Sequence, residues 1–320
     1  MADEETVPVV VIGGSGAQRL VDEVVTPDDC VLADDWYGPG SVRIGSDVAH
    51  RCSGCPCCAV RLDVVDGLLR AVRQARRPAR ALLVAGPGDD IATIGYSVLS
   101  DHDLARHVHL GAVVMVIDAV ATTTRLASDA PLGPPGELDA LAMADLIVLT
   151  RTGEVTEAAR RRLDAELRGV SALGLVVSLD GESNGRNPTL PIRRALIRPD
   201  AWRGVPAVER SGPTGLACAA TDGPQTVILR ETTPLDPDAV DAWLDRLVDT
   251  NPLALLRVQA AIAVESTPAR VLCHGVRSFA VSQGQTTGSG ADRHESRVVI
   301  VGRGLDVDEL IRDFAATRTR

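Results

Sequence analysis

The sequence predicts an α/β protein: a mainly parallel sheet flanked by helices, followed by a small C-terminal α+β domain. Three observations carry that expectation. Short apolar, β-branched runs alternate with stretches of helical period through the first part of the chain, the pattern of a parallel sheet. The first run, Val7 to Ile12, leads directly into Gly13, Gly14 and Gly16 and then a helix-like stretch to Val25, a strand–turn–helix opening. Beyond Gln225 the order changes to several strands with only two helical stretches.

Each element follows from its own pattern. Cys30 to Ala33 reads as a second strand, and Arg61 to Arg76 as a helix with apolar residues at Val64, Val65, Leu68, Leu69 and Val72, which is helical spacing. Arg80 to Ala85, Ala112 to Ile117, Leu146 to Leu149 and Leu173 to Leu179 are buried-strand candidates, with helices at Glu137 to Ala144 and Glu154 to Leu167. Gly, Asn and Ser gather around Asp180 to Asn187, and Arg203 to Pro224 again reads as loop. Thr226 to Arg230 opens the second unit. Its helices are Asp236 to Leu247 and Val307 to Ala316, and its further strands lie near Leu255 to Val264, Ala269 to His274 and Arg297 to Val301. The expected division is a first domain over 1–205, a linker over 206–224 and a second domain over 225–320. No internal repeat is visible.

Composition narrows the function. At 320 residues and 45% hydrophobic the chain can bury a core in each domain. With 2% aromatics, those cores are built of Val, Leu, Ala and Ile. A net charge of −10 excludes a general DNA-binding face, which needs a basic surface. The chain has no lysine, so all 33 basic residues are arginine. Arginines gather at Arg70, Arg73, Arg76, Arg77 and Arg80 and at Arg160 to Arg162; both runs read as solvated helix faces, with a partner or RNA patch as the alternative. Met1 to Glu5 is acidic and lacks the basic start of a secretory peptide. No run reaches the length of a membrane span. The expectation is a cytoplasmic protein with no membrane association, whose thiols stay reduced.

In that compartment, clustered cysteines indicate metal binding or redox chemistry before disulfides. Four of the seven cysteines, Cys52, Cys55, Cys57 and Cys58, fall with His50 inside nine positions. Zinc prefers tetrahedral sulfur and nitrogen donors, so the cluster is read as a zinc site; buried apolar cysteines and redox-reactive thiols are the alternatives. Cys30, Cys218 and Cys273 read as isolated core residues, and His102, His107 and His109 as ordinary surface histidines. Asp118, directly after a strand, is read as a helix cap or turn residue, with a residual active-site acid as the alternative.

The glycine turn is tested against the phosphate-binding pattern G-x-x-x-x-G-K-[ST], in which amides hold phosphates, lysine reaches the β- and γ-oxygens and the hydroxyl holds magnesium. The segment here is Gly13-Gly14-Ser15-Gly16-Ala17-Gln18-Arg19-Leu20. Gln18 takes the second glycine's place, Arg19 the lysine's and Leu20 the hydroxyl's, and leucine cannot ligate magnesium. Taken alone the segment reads first as a Gly-rich strand-to-helix turn; its position also suits an anion at a helix N-terminus, so Gly13, Gly16 and Arg19 are carried forward as a vestigial nucleotide loop.

The order of landmarks resembles the CobW family of metal-handling GTPases over nearly the full chain. Gly54-Cys55-Pro56-Cys57-Cys58-Ala59-Val60-Arg61-Leu62-Asp63 is similar to the family's G-C-x-C-C signature followed by x-x-R-x-D. Ile117-Asp118-Ala119 stands where the family has V-D-A, and Ala144-Asp145 opens its base-recognition segment. In the second domain the matching stretches are Pro234-Leu235-Asp236-Pro237, Leu256-Arg257-Val258-Gln259 and Glu295 to Arg303. The departures are equally specific. Ala85 replaces the glutamate of I-E-x-x-G, and Thr150 and Gly153 replace the guanine-reading Asn and Asp. Arg210 to Gly223 has no histidine where the family carries a histidine-rich segment.

The resemblance implies a P-loop-NTPase-like first domain and a CobW C-terminal domain. It also implies zinc held by Cys55, Cys57 and Cys58, with His50 or Cys52 completing the shell. The departures imply that GTP is not a working cofactor, hence a pseudo-GTPase of zinc homeostasis with no catalytic residues. Two alternatives stay open. One is an adaptor in the zinc-starvation response that recruits a ribosome hibernation factor, its partner then being a protein client or ribosome-associated factor. The other is a weak GTPase metallochaperone that tolerates Arg19.

Overall fold

The computed structural model describes residues 6–33, 56–74, 76–86, 89–172, 174–180, 213–219, 223–251, 254–265, 269–276, 279–286 and 295–319. These residues fall into two compact units.

The first unit is built on a six-stranded sheet in the order β2-β3-β1-β4-β5-β6: β1 (Val7–Gly14), β2 (Asp29–Ala33), β3 (Arg80–Val84), β4 (Val108–Asp118), β5 (Leu146–Thr150) and β6 (Leu175–Ser178). Every pairing is parallel. Parallel strands are covered on both faces, and here β3 and β5 are buried along their whole length, which is why their sequences run apolar instead of alternating. The helices are α1 (Ala17–Val24), α2 (Pro56–Val72), α3 (Ile91–Ser100), α4 (Ala119–Ala127), α5 (Pro135–Met143) and α6 (Glu157–Val170). α1 buries Ala17, Leu20, Val21 and Val24, the i, i+3, i+4, i+7 stripe of an amphipathic helix.

The second unit carries a six-stranded sheet in the order β11-β10-β9-β12-β8-β7, antiparallel throughout. Its strands are β7 (Gly215–Ala219), β8 (Gln225–Glu231), β9 (Leu255–Ala263), β10 (Arg270–Val276), β11 (Phe279–Thr286) and β12 (Ser296–Gly302), and its helices are α7 (Pro237–Thr250) and α8 (Val307–Ala315). One sheet face packs on these helices: Val227, Leu229, Val258, Ala260, Ile262, Val298 and Ile300 meet Trp243, Leu247, Leu310 and Phe314. The rings of Trp243 and Phe314 lie 5.0 Å apart, tilted by 52°, a favoured aromatic geometry. Asp236 and Asp306 cap the two helices, accepting from the amides of Ala239 and Glu309 at 2.9 Å each.

Several elements differ from the sequence expectation. The helix expected from Arg61 starts at Pro56, because proline suits the first turn of a helix, where its missing N–H costs nothing. α3 has no bounds in the sequence reading, whereas α4 follows Asp118 as its cap reading expects. α3 buries seven residues, from Ile91 to Leu99, so no polar stripe marks its period. Within the expected linker 206–224, residues 206–212 and 220–222 lie outside the described residues, but Gly215–Ala219 is the edge strand β7. It is short, with Leu216 half exposed, and so lacks a buried strand's apolar run. Cys273 is buried as expected, whereas Cys30 and Cys218 are half-buried.

Candidate nucleotide-type site and metal motif

The strand order of the first unit reverses around β1, and its C-terminal end is where open α/β sheets take ligands. There β1 ends in Gly13 and Gly14, Ser15 and Gly16 turn the chain, and α1 begins at Ala17. Gly14 has φ +97°, a backbone conformation that disfavours other residues, and a Cβ there would lie 2.1 Å from the Val116 carbonyl oxygen. A Cβ on Gly16 would lie 2.6 Å from Val116 Cγ1 and 3.3 Å from Thr150 Cγ2, and one on Gly13 1.9 Å from Ile91 Cδ1. The glycines therefore allow the turn to lie directly on β4 and α3; close packing within the protein accounts for them.

The next two positions are occupied otherwise than in a phosphate loop. Leu20 is fully buried in the core. Arg19 is half exposed, and its guanidinium donates to the carboxylate of Asp180, two residues beyond β6. β4 and β5 lie between β1 and β6, so this contact links the helix after β1 to the segment after β6.

The other Asp180 oxygen accepts the backbone N–H of Arg151. Arg151 follows β5 in a left-handed conformation, φ 57°. Its guanidinium donates to Asp118 at 2.9 Å and to both oxygens of Glu154 at 2.8 and 3.0 Å. Asp118 in turn caps α4, accepting from the amides of Val120 at 2.9 Å and Ala121 at 3.1 Å. One chain of contacts thus joins Arg19, Asp180, Arg151, Asp118 and Glu154. Partial burial raises the Asp118 carboxyl, but the Ala121 amide, the Arg151 guanidinium and the Val120 amide more than reverse this and hold it below the usual carboxylate range. The Arg151 hydrogen bonds likewise hold Glu154 down, and those to Glu154 and then Asp118 raise Arg151.

The remaining polar groups at this edge have internal partners. Thr150 is buried, and its hydroxyl donates to the Ile117 carbonyl at 3.3 Å. Thr152 and Ser178 share a 2.6 Å hydroxyl contact. At the opposite, N-terminal end of β5, Asp145 accepts the Val113 N–H at 2.9 Å and ties β4 to the start of β5. Ala85 is buried after β3, and Asp89 instead accepts the following Gly86 N–H at 2.6 Å.

Sequence reasoning singled out Gly13, Gly16, Arg19 and Asp118 but not Asp180, Glu154 or the pairing role of Arg151. The available signal was positional: Asp118 ends the buried strand β4, and Asp180 lies two residues past β6. The arginine run expected as a solvated face is partly structural. Arg80 is buried against Asp29, Arg76 pairs with Asp28, and Arg77 donates to the His107 carbonyl at 3.0 Å. His109 is likewise engaged, its Nδ1 lying 2.8 Å from the Thr6 hydroxyl.

Of the metal motif, His50, Cys52 and Cys55 lie outside the described residues. Cys57 and Cys58 stand in the first turn of α2, and only their backbone is described. Anionic thiolates are favoured at a helix N-terminus, and a thiolate–imidazole donor set fits zinc by its chemistry. Among the described residues no group of three His, Cys, Asp or Glu is placed to hold a metal ion, and no helix is long and apolar enough to cross a membrane.

Two stretches of the chain match known families. Residues 42–177 match the CobW/HypB/UreG nucleotide-binding domain, and residues 225–318 match the cobalamin synthesis protein CobW C-terminal domain. Each unit thus contains a stretch similar to a CobW-type domain. Among solved structures, the Zn(II)-bound YjiA GTPase from E. coli aligns with a TM-score of 0.62 at 17% identity, covering 98% of this chain and 100% of that one. A Zn(II)-bound triple mutant of YjiA GTPase aligns at 0.64 and 16%, with the same coverage. The likeness in fold to YjiA GTPase, a parallel P-loop-NTPase-like sheet flanked by helices followed by an antiparallel C-terminal unit, therefore extends over 98% of the chain.

Proposed function

We propose that this CobW-type protein binds zinc and serves zinc homeostasis without turning over GTP. The observation that carries the reading is Arg19. At the place of the phosphate-contacting lysine stands a side chain paired with Asp180 across the sheet edge. Leu20 beside it is buried where a magnesium-holding hydroxyl would be needed. Thr150 and Gly153 offer no carboxylate to a guanine edge. Cys55, Cys57 and Cys58 supply the thiolates, with His50 or Cys52 as the fourth donor. A solved structure of the same fold, YjiA GTPase, is Zn(II)-bound.

The test is a pair of titrations on reduced, full-length protein. Zinc should bind at one equivalent and release protons, because thiolates must be deprotonated to ligate. Binding should disappear when Cys57 and Cys58 are both changed to Ser, and persist in Cys218→Ser and Cys273→Ser. A fluorescent GTP analogue should show no binding tighter than about millimolar. Micromolar binding, or magnesium-dependent hydrolysis above background, sinks the pseudo-GTPase reading; stoichiometric zinc in the double variant sinks the metal assignment.

A further inference from the structure

We infer that Asp180 is a built-in competitor for anions: its carboxylate occupies the donors that the sheet edge would otherwise present to an external oxyanion. This rests on the reading of the edge as a nucleotide-type site without turnover. Asp180 takes one hydrogen bond from the Arg19 guanidinium and one from the Arg151 N–H. A cationic side chain and a backbone amide converging on two oxygens are what a phosphate or carboxylate ligand receives. The left-handed turn at Arg151 (φ 57°) brings its amide to bear on Asp180.

The rest of the network shows why Asp180 holds this position. Arg151 spends its guanidinium on Asp118 and Glu154, so its side chain is drawn to those carboxylates and its amide is left for Asp180. Arg19 has Asp180 as its ion-pair partner among the described residues. The five charged groups sum to one net negative charge with Asp180 and to zero without it. Side-chain exposures of 50% for Arg19 and 21% for Asp180 leave the contact within reach of solvent and of a competing anion. An intramolecular carboxylate competes at high effective concentration, so a dilute external anion loses.

The deciding measurement is calorimetric titration of inorganic pyrophosphate into the reduced, zinc-free, full-length chain. Asp180→Ala should bind at least about tenfold tighter than wild type, a change of about 1.4 kcal/mol. Asp180→Asn, which keeps one acceptor and loses the charge, should fall between. Adding Arg19→Ala to Asp180→Ala should return binding to the wild-type level. Glu154→Gln removes an equal charge but leaves both Asp180 bonds in place, and should gain less than about threefold. Circular dichroism and amide exchange over β1 and β6 confirm that each variant is folded. Folded Asp180→Ala or Asp180→Asn protein with wild-type affinity overturns the inference, as does an equal gain in Glu154→Gln. Tight GTP binding by wild type would instead overturn the pseudo-GTPase reading, while the ratio between Asp180→Ala and wild type still decides the role of Asp180.

Discussion

Removing Arg80 alone from the buried Arg80–Asp29 pair should loosen the β2 edge of the first unit more than any nearby surface change. Asp29 opens β2, and Arg80 opens β3 directly opposite it in the parallel register. Arg80 Nε and Nη2 donate to the two Asp29 oxygens at 2.8 and 2.7 Å, and Nη2 also donates to the Val24 carbonyl at 2.8 Å. The pair is dry, with side-chain exposures of 5% and 2%. It ties the end of α1, the start of β2 and the start of β3 into one corner. Arg80→Leu strands a buried carboxylate that keeps only the Thr26 amide at 2.8 Å. Breaking such a pair from one side costs about 3–5 kcal/mol. Replacing both partners by apolar residues is often neutral, because the two desolvation penalties disappear together. Native-state hydrogen exchange on the β2 and β3 amides measures this locally, which suits a chain of two units better than one global melting temperature. Arg80→Leu should speed exchange there by about 100-fold or more, each 1.4 kcal/mol being a factor of ten. Arg80→Leu with Asp29→Leu should recover most of that loss. A single variant that exchanges within threefold of wild type, or a double variant as loose as the single, would refute the reasoning.

Asp118→Ala should cost about 1 kcal/mol through the lost α4 cap and should free the Arg151 guanidinium. Because the folded Asp118 carboxyl lies below its ordinary value, its stabilisation is complete above the unfolded pKa of about 3.9 and fades as pH falls through the depressed folded value. Acid titration of the first unit should therefore lose a component in the variant below about pH 4 and be unaltered in shape near neutrality. Glu231 offers a parallel case in the second unit. Burial raises its carboxyl, but Arg318, Thr233 and Thr232 donate to it and leave it lowered, so Glu231→Gln should loosen the Arg318 end of the chain above about pH 4.5 and make no difference well below it, read by amide exchange. Burial and then the charge of Asp241 push the Cys273 thiol up to about 11, so at pH 8 it should react with a disulfide reagent far more slowly than a free thiol; fast labelling in the folded protein would contradict its burial.

What the sequence made legible follows from the range of the forces involved. Strands such as β3 and β5 are apolar along their whole length, so their runs are visible without knowing their neighbours. α1 carries its burial period on its face. α3 hides, because a helix buried nearly all round has no polar stripe to give its period away. β7 hides as well, because an edge strand with an exposed Leu216 has neither alternation nor a continuous apolar run. At the site, the glycines were visible while their cause was not. The sequence pattern reads as a Gly-rich turn without naming what it lies against, which is Val116 and Ile91, 102 and 78 residues away from Gly14 and Gly13, respectively.

The same distinction separates Arg19 from Asp180. An arginine in a lysine's place can be read from one position in a motif. Its partner can be found only once β4 and β5 are known to lie between β1 and β6, since the two residues stand 161 positions apart. Asp118 and Glu154 add the reason that matters for function. By drawing off the Arg151 guanidinium they let its amide serve Asp180, so a single carboxylate holds both donors at the sheet edge. On the proposed reading, the absence of a lysine and a hydroxyl from this loop would deprive it of the means of phosphoryl transfer, and the Asp180 carboxylate would fill the place of an external anion. The first feature alone would leave a cradle open to phosphate, and on this proposal only the second would make the edge indifferent to it. That order gives the two substitutions at Asp180 and Arg19 separate meanings: restoring anion binding needs Asp180 removed, whereas restoring turnover would also need the hydroxyl that Leu20 cannot supply.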